Sequence, residues 1–179
     1  FGNCPQPSTP PPAASAKRGP RHYSVDAEPA IAQRADGLAI AIWMEPQQGP
    51  LETLSPRLLY SLRSADGWSA ASPVVTQPRA INHARVVFLS DGRALALWVQ
   101  NRASLEEIAR AGGAEMFDQE IAFAIWDGEA WGSVGALTDD LVADGMPDLV
   151  ALQDGSAMAA WVRKIPQGRV PDPSDPIGI

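Results

Sequence analysis

The stretches DGLAIAIW (Asp36–Trp43), DGRALALW (Asp91–Trp98) and DGSAMAAW (Asp154–Trp161) decide the fold of this 179-residue chain. They begin 55 and then 63 residues apart, and a motif that recurs at such a spacing is typical of a repeat architecture. Aspartate–glycine between apolar runs is a strong signal for a tight turn between two strands, because glycine accepts the positive φ that the turn requires. Each stretch therefore predicts a turn that leads into a β-strand.

Side chains after each turn alternate with a period of two, so each predicted strand has two different faces. The first face reads Ala-x-Ala-x-Trp in all three copies, whereas the second carries mostly larger apolar residues, such as Ile40, Ile42, Leu95 and Leu97. Alanine is a poor strand former, so its repetition indicates close packing against a neighbouring sheet. A strand that is apolar on both faces predicts a sheet that is covered on both faces.

Further short segments complete each repeat. Apolar segments precede the signature strands at Ala30–Ala32, Val86–Leu89 and Leu149–Leu152. Alternating strands follow in the first two copies at Leu58–Arg63 and Ile121–Trp126, each ending in a second Asp–Gly turn and a further tryptophan. Four-stranded antiparallel units repeated at roughly 40–50 residues are typical of β-propeller blades. The sequence therefore predicts an all-β fold: a partial β-propeller with two full blades and one half blade.

Five of the six tryptophans recur at equivalent positions of the repeats and are expected in the core, Trp126 being the exception. The signature residues Trp43, Trp98 and Trp161 are expected to be largely buried between neighbouring sheets.

The predicted blades occupy residues 27–164, divided into 27–76, 77–140 and a partial blade at 141–164. Residues 1–26 are rich in proline, serine and alanine and are predicted to form a disordered linker or tail, because such a segment can bury little apolar surface. The proline-rich residues 165–179 are predicted to form a second tail.

Blade two carries an insertion at Asn101–Gln119. Ser104 and Glu107 within it have the spacing of a capping box, in which each residue hydrogen-bonds the backbone of the other. This predicts a short helix over Leu105–Ala111 that ends at Gly112–Gly113.

The charge and apolar pattern exclude two classes of protein. The formal net charge is −7 with only 14 lysines and arginines, so no nucleic-acid ligand is expected, since such binders need a basic surface. No apolar run approaches the roughly 18 residues of a membrane-spanning helix, so no transmembrane segment is predicted.

The single cysteine, Cys4, cannot form an internal disulfide. It is expected to be a free or intermolecular thiol, with a lipid anchor at Cys4 as the alternative.

Candidate binding residues lie in the loops of variable length, which are predicted to share one end of the blades because the other end has only tight Asp–Gly turns. Loops on a rigid scaffold are where binding sites usually lie. One group precedes the first strand of blade two, and a second lies two residues beyond each signature tryptophan, side by side around the rim. These candidates are Asn82, His83 and Arg85, and Glu45, Gln100 and Arg163. For both groups a purely structural or solvated role is the alternative.

An acidic cluster between blades two and three contains Asp139, Asp140, Asp144 and Asp148. Calcium prefers carboxylate oxygens, so Asp139, Asp140 and Asp144 are calcium candidates, although their spacing does not match a helix–loop–helix calcium motif. One cysteine and two histidines do not make a zinc site. The expectation is that the chain binds no cofactor, with calcium as the alternative.

The pattern Pro-x-Ile/Leu, four residues, Asp-Gly, five residues, Trp is complete in the first and third copies. It resembles secreted bacterial β-propeller repeat proteins of the sialidase-like kind, over about residues 27–164. The second copy departs from the pattern at Ala84 and Val86. The Asp-box of those proteins, roughly S-x-D-x-G-x-x-W, is degenerate here at Ser64–Trp68 and Asp127–Trp131. The resemblance implies an exported protein, periplasmic, at the cell surface or extracellular.

Sialidases use an arginine triad, a tyrosine nucleophile with a glutamate, and a further acidic residue, and none of these can be placed on this chain. The favoured hypothesis is therefore a non-catalytic exported β-propeller module for binding or assembly, part of a larger propeller. Its expected partners are other protein chains or missing blades, with a carbohydrate as a candidate ligand. The alternative is a fragment of a glycoside-cleaving enzyme whose catalytic residues lie mostly outside this chain.

Overall fold

The computed structural model describes residues 29–45, 56–76, 79–111, 118–140 and 142–164. Within these ranges the chain forms short strands and one short helix, and every strand pairing is antiparallel. The predicted all-β character is therefore confirmed. Both predicted tails, residues 1–26 and 165–179, lie outside the described residues.

Three sheets follow one another along the chain, and within each the strands pair in chain order. Sheet one contains β1 (Ala30–Gln33), β2 (Ala39–Glu45), β3 (Arg57–Ser64), β4 (Gly67–Trp68) and β5 (Ser72–Pro73), and both β4 and β5 pair with β3. Sheet two contains β6 (Ile81–Phe88), β7 (Ala94–Asn101), β8 (Gln119–Trp126) and β9 (Gly135–Ala136). Sheet three contains β10 (Asp144–Ala151) and β11 (Ala157–Arg163).

The three Asp–Gly turns have the geometry that the sequence predicts. Gly37, Gly92 and Gly155 have φ values of 92°, 89° and 91°, a region that favours glycine. In each turn the aspartate Oδ1 accepts a hydrogen bond from the backbone N–H two residues later, at 3.2, 3.0 and 2.9 Å. The aspartate therefore stabilises the turn that the glycine permits, which explains why the pair recurs.

Sheet two is covered on both faces, and the two contacts follow the same rule. The larger apolar face of sheet one, with Ile40 and Ile42, packs on the Ala94, Ala96 and Trp98 face of sheet two. The larger apolar face of sheet two packs in turn on the Ala-x-Ala-x-Trp face of sheet three: Leu97, Val99 and Ile121 contact Ala159 and Trp161. Small alanines thus receive the bulky side chains of the preceding sheet.

The signature tryptophans were expected to be largely buried, and only one is. Trp98 is completely buried, because its face of sheet two lies against sheet one. Trp43 and Trp161 are partly buried, since Trp43 lies on the outer face of sheet one and Trp161 belongs to a sheet of only two strands. Trp68, also expected in the core, is 51% exposed, whereas Trp126, which has no counterpart in the other repeats, is buried.

The first strands of sheets two and three begin earlier than the sequence suggests. Asn82, His83 and Arg85 lie within β6 and not before it. The pairing register shifts between Asn82 and Arg85, and again at the equivalent place in β10. His83 has a φ of 49° and Met146 a φ of 51° at these shifts. A bulge absorbs the extra residue in each strand, so pairing continues past it.

The predicted helix is confirmed as α1 (Leu105–Arg110). Ser104 Oγ accepts a hydrogen bond from the Glu107 N–H, and the Glu107 carboxylate accepts one from the Ser104 N–H at 2.7 Å. Ile108 is completely buried and anchors the helix. The predicted stop at Gly112–Gly113 lies outside the described residues. No helix in the described part of the chain has the length and apolar character that crossing a membrane would need.

Candidate functional site

A network of ion pairs lies where β7 and β11 end and β8 and β10 begin, the end of the sheets at which the variable loops were predicted. Arg163 makes three side-chain hydrogen bonds in this network. Its Nε donates to Asp144 Oδ1 at 3.0 Å. Its Nη2 donates to Asp140 Oδ2 at 2.6 Å and to Asp144 Oδ2 at 3.2 Å. Asp144 lies opposite Arg163 in the strand register and is 1% exposed. The bonds to Asp144 raise the pKa of Arg163 above its usual value, so the guanidinium stays protonated.

Glu120 is the most buried carboxyl group on the sheet-two side of the same network among the described residues, at 5% exposure. Its Oε1 accepts a hydrogen bond from the Asp140 N–H at 2.9 Å. Burial raises the pKa of Glu120, and the nearby charges of Asp140 and Asp144 raise it further. The Thr138 hydroxyl and the Asp140 N–H act in the opposite direction. The net effect is a pKa of Glu120 above its usual value, with burial as the largest cause.

Arg102 joins the base of the long insertion to this network. Its guanidinium lies 3.7 Å from Glu120 Oε1, 3.4 Å from Asp139 Oδ1 and 3.7 Å from Asp118 Oδ2. It also donates to the backbone carbonyl oxygen of Asp140. Two arginines thus hold the segment that leads from sheet two to sheet three: Arg102, which follows β7, and Arg163, which ends β11.

The predicted calcium candidates divide between different partners. Asp140 and Asp144 come together with Glu120, each offering one carboxylate oxygen within 4.8 Å of the others, whereas Asp139 pairs with Arg102. Asp148 lies away from them, 3.8 Å from Arg85 Nε. Three convergent carboxylates fit a cation in principle, but the Arg163 guanidinium already bonds two of them. Calcium at this cluster stays the alternative to the expectation that the chain binds no cofactor, and these contacts test neither.

Arg85 faces a groove between the first strands of all three sheets. The groove has a volume of about 460 Å³ and is lined by Pro29, Ala30, Ile31, Arg85, Val86 and Leu149. Arg85 contributes its charged group, which donates to the Ala84 carbonyl oxygen at 2.9 Å and is 37% exposed. The other lining residues have apolar side chains, so the groove places one cation beside aliphatic groups.

The second predicted group is not joined by the hydrogen bonds of the described residues. Glu45 pairs with Arg57, its neighbour across β2 and β3. Gln100 Oε1 accepts from Trp98 Nε1 at 3.3 Å. Arg163 bonds Asp140 and Asp144. Each of the three side chains therefore bonds residues near its own strand, and none of these bonds links one of the three to another. A shared polar ring around the rim stays a prediction.

Sequence reasoning missed Glu120 and Arg102. One signal for Glu120 was available, because it is the cross-strand neighbour of Gln100, and Gln100 is the sheet-two equivalent of Arg163. Arg102 had no such signal, since its partners come from the insertion and from the link to sheet three.

Comparison with known proteins adds evidence about the fold. No family model matches the chain, and no curated protein sequence does. Among solved structures the chain is similar to Hadza microbial sialidase Hz136, with a TM-score of 0.54 and 12% sequence identity. The likeness covers 78% of this chain and 35% of that one, so the chain spans about a third of that sialidase. Identity this low speaks for the fold alone, and the chain accordingly has a sialidase-like β-fold.

Proposed function

We propose that this chain is a non-catalytic, exported β-propeller module that acts in binding or assembly as part of a larger propeller. Its three sheets are successive blades. This is supported by the repeated packing rule, in which the larger apolar face of one sheet covers the Ala-x-Ala-x-Trp face of the next. The likeness to a sialidase over about a third of that protein's length agrees with it.

The observation that carries the non-catalytic part of the proposal is the pairing of Asp140 and Asp144 with Arg163. A general acid or base must exchange a proton with substrate, which requires a reachable group with a suitable pKa. Asp144 is 1% exposed, and both of its oxygens are bonded to Arg163. These carboxylates therefore serve to hold sheet three to the segment that leads into it.

Binding is proposed at the groove beside Arg85. An apolar cleft with one cation suits a ligand that carries a negative charge next to an apolar or ring surface. Because the structural neighbour is a sialidase, an acidic carbohydrate is the ligand class we propose.

A glycoside-cleaving enzyme is the second candidate, and Glu120 favours it. Glycosidases pair a carboxyl group of raised pKa with an ionised carboxylate roughly 5–10 Å away. Glu120 has a raised pKa and lies beside Asp140 and Asp144. In this alternative Glu120 is the acid and a carboxylate of a further blade is its partner, because Asp140 and Asp144 lie within 4.8 Å of Glu120 and are bonded to Arg163.

Hydrolysis of aryl glycosides, including an aryl sialoside, separates the two candidates. We expect the full chain to release no fluorophore above the buffer blank. Release that disappears in Glu120→Gln and persists in Glu106→Gln, an exposed position on α1, would establish the enzyme instead.

Binding is tested on an array of sialylated and neutral oligosaccharides. We expect the sialylated members to be retained by the wild-type chain and by Arg93→Gln, a turn position, and lost by Arg85→Gln. Equal retention by both variants would remove the groove from the proposal.

A further inference from the structure

The two end faces of the stack expose side chains that are buried at equivalent positions elsewhere. We define the tail face as the outer face of sheet three, with Val150, Met158 and Val162, which are 51%, 49% and 58% exposed. We define the head face as the outer face of sheet one, with Ile31, Ala41, Trp43 and Trp68. Ile31 lies directly opposite Ala41 in the register and therefore shares its face.

The tail face repeats the pattern of faces that are covered in the other two sheets. Val162 occupies the same position, counted from the Asp–Gly turn, as Val99 in sheet two and Met44 in sheet one. Those two residues are 1% and 2% exposed, because the next sheet covers them. Among the described residues, nothing covers Val162 in this way.

The head face shows the same contrast from the other side. Ile31 is 64% exposed, whereas its equivalent in sheet two, Val86, is 6% exposed. Trp68 is exposed, whereas its equivalent Trp131 is partly buried and stacks on Tyr60 of sheet one in a T-shape at 5.7 Å. Trp68 and Trp131 are equivalent because each pairs with the same position of the neighbouring long strand. The head face thus carries the same kinds of side chain as the face of sheet two that packs against sheet one.

We propose that the tail face of one copy of this chain docks on the head face of a second copy. The proposal rests on the blade arrangement proposed above. Each copy carries both halves of a contact that the fold already makes twice, with bulky apolar side chains on one surface and Ala-x-Ala-x-Trp on the other. A second copy is therefore a partner that supplies both kinds of surface, although its sheet three contributes two strands where sheets one and two have five and four.

Such a contact is heterologous, since different surfaces of the two copies meet. A heterologous contact either closes into a ring or continues as a filament. Two copies bring about six sheets together, which falls within the four to eight at which propellers close. The expected assembly is therefore a closed dimer, whose two identical contacts cover all four end faces.

One carboxylate placed on each face tests this. Ile31→Glu disables the head face and Met158→Glu disables the tail face, because docking would bury an unpaired charge. Either variant alone disables every contact and should be monomeric, with association weakened by about 100-fold or more. A mixture of the two retains one intact contact, between the head of Met158→Glu and the tail of Ile31→Glu. The mixture should therefore form heterodimers.

Sedimentation of the full chain at several concentrations gives the readout, with Val134→Glu as the control. Val134 is 44% exposed but lies just before β9 of sheet two and not among the residues that define the end faces, so this variant should remain dimeric. Circular dichroism and thermal unfolding show that each variant is folded.

A wild-type monomer at all concentrations, or assembly that both single variants preserve, would overturn the proposal. If one single variant stays dimeric while the other is monomeric, like faces meet, and the proposal is overturned. Single variants that are monomeric but do not associate when mixed would show that the intact head and tail faces do not bind each other, which also overturns it. In each of these cases cooperative unfolding of the variants would leave the blade stack itself intact, so the two proposals fail separately.

Discussion

The pKa of Glu120 depends strongly on where this residue lies in the fold. It begins β8 and is buried beside two aspartates, while Arg102 lies 3.7 Å from its Oε1, longer than a direct hydrogen bond. Burial disfavours its charged form, and the two aspartates add repulsion, so its pKa is raised from the usual value of 4.5. The ionised form of Glu120 is therefore less favourable in the folded chain than in water.

Glu120→Gln should change how stability depends on pH. In the wild type the folded pKa of Glu120 exceeds the unfolded one, so between the two values the folded state binds more protons. The free energy of unfolding therefore falls as the pH rises through that window. Glutamine supplies an amide oxygen that can accept the hydrogen bond from the Asp140 N–H, and its side chain has no acidic proton to lose. The stability of the wild type minus that of the variant should fall as the pH rises above about 4.5, measured by urea unfolding. A difference that rises with pH would contradict this.

Arg163 connects three elements. It is the last residue of β11, it bonds Asp144 at the start of β10, and it bonds Asp140 in the segment between β9 and β10. Its side chain is 18% exposed and that of Asp144 is fully buried. Removing one partner of such a pair leaves a buried charge without compensation, which costs far more than the pair contributes.

Arg163→Gln should lower the free energy of unfolding by about 3 kcal/mol or more. Arg93→Gln is the matched control, because Arg93 pairs with Asp91 within a single exposed turn and joins no separate elements. It should leave stability nearly unchanged. Chemical unfolding of both variants checks this, and equal losses would mean that the network does not hold sheet three in place.

The elements that were predictable are those whose signal is local. Period-two alternation located β2 and β7, glycines located their turns, and Ser104 with Glu107 located α1, because each signal lies within a few residues. The beginning of β6 was missed because the bulge at His83 interrupts the alternation that marks a strand. The Glu120 contacts were missed because they depend on how the chain crosses from sheet two to sheet three, which no local pattern encodes.

At the scale of the whole molecule, protection differs from sheet to sheet. Sheet two is covered on both faces, sheet one on one face, and sheet three consists of two strands with an exposed outer face. Which tryptophan is buried follows from this order and not from the motif, since Trp43, Trp98 and Trp161 occupy identical positions in their repeats.

Backbone hydrogen exchange should report the same order. In the monomeric Met158→Glu variant, amides of β7 should exchange most slowly, those of β2 at an intermediate rate, and those of β11 fastest. Opening sheet three exposes little apolar surface, whereas opening sheet two requires separation of both contacts. Exchange followed by mass spectrometry on peptides from the three strands gives the comparison. Uniform protection would contradict the layered stability described here.

The two-residue strands β4, β5 and β9 have a consequence for misassembly. They form one edge of sheets one and two, opposite the edges formed by β1 and β6, and so short an edge offers few free N–H and C=O groups to a foreign strand. β11 has seven residues and, within the described chain, no strand beyond it. On this side of the three sheets β11 is therefore the longest free edge, and a single lysine or proline along its outward side would suppress edge-to-edge growth there while leaving the faces of the stack unchanged.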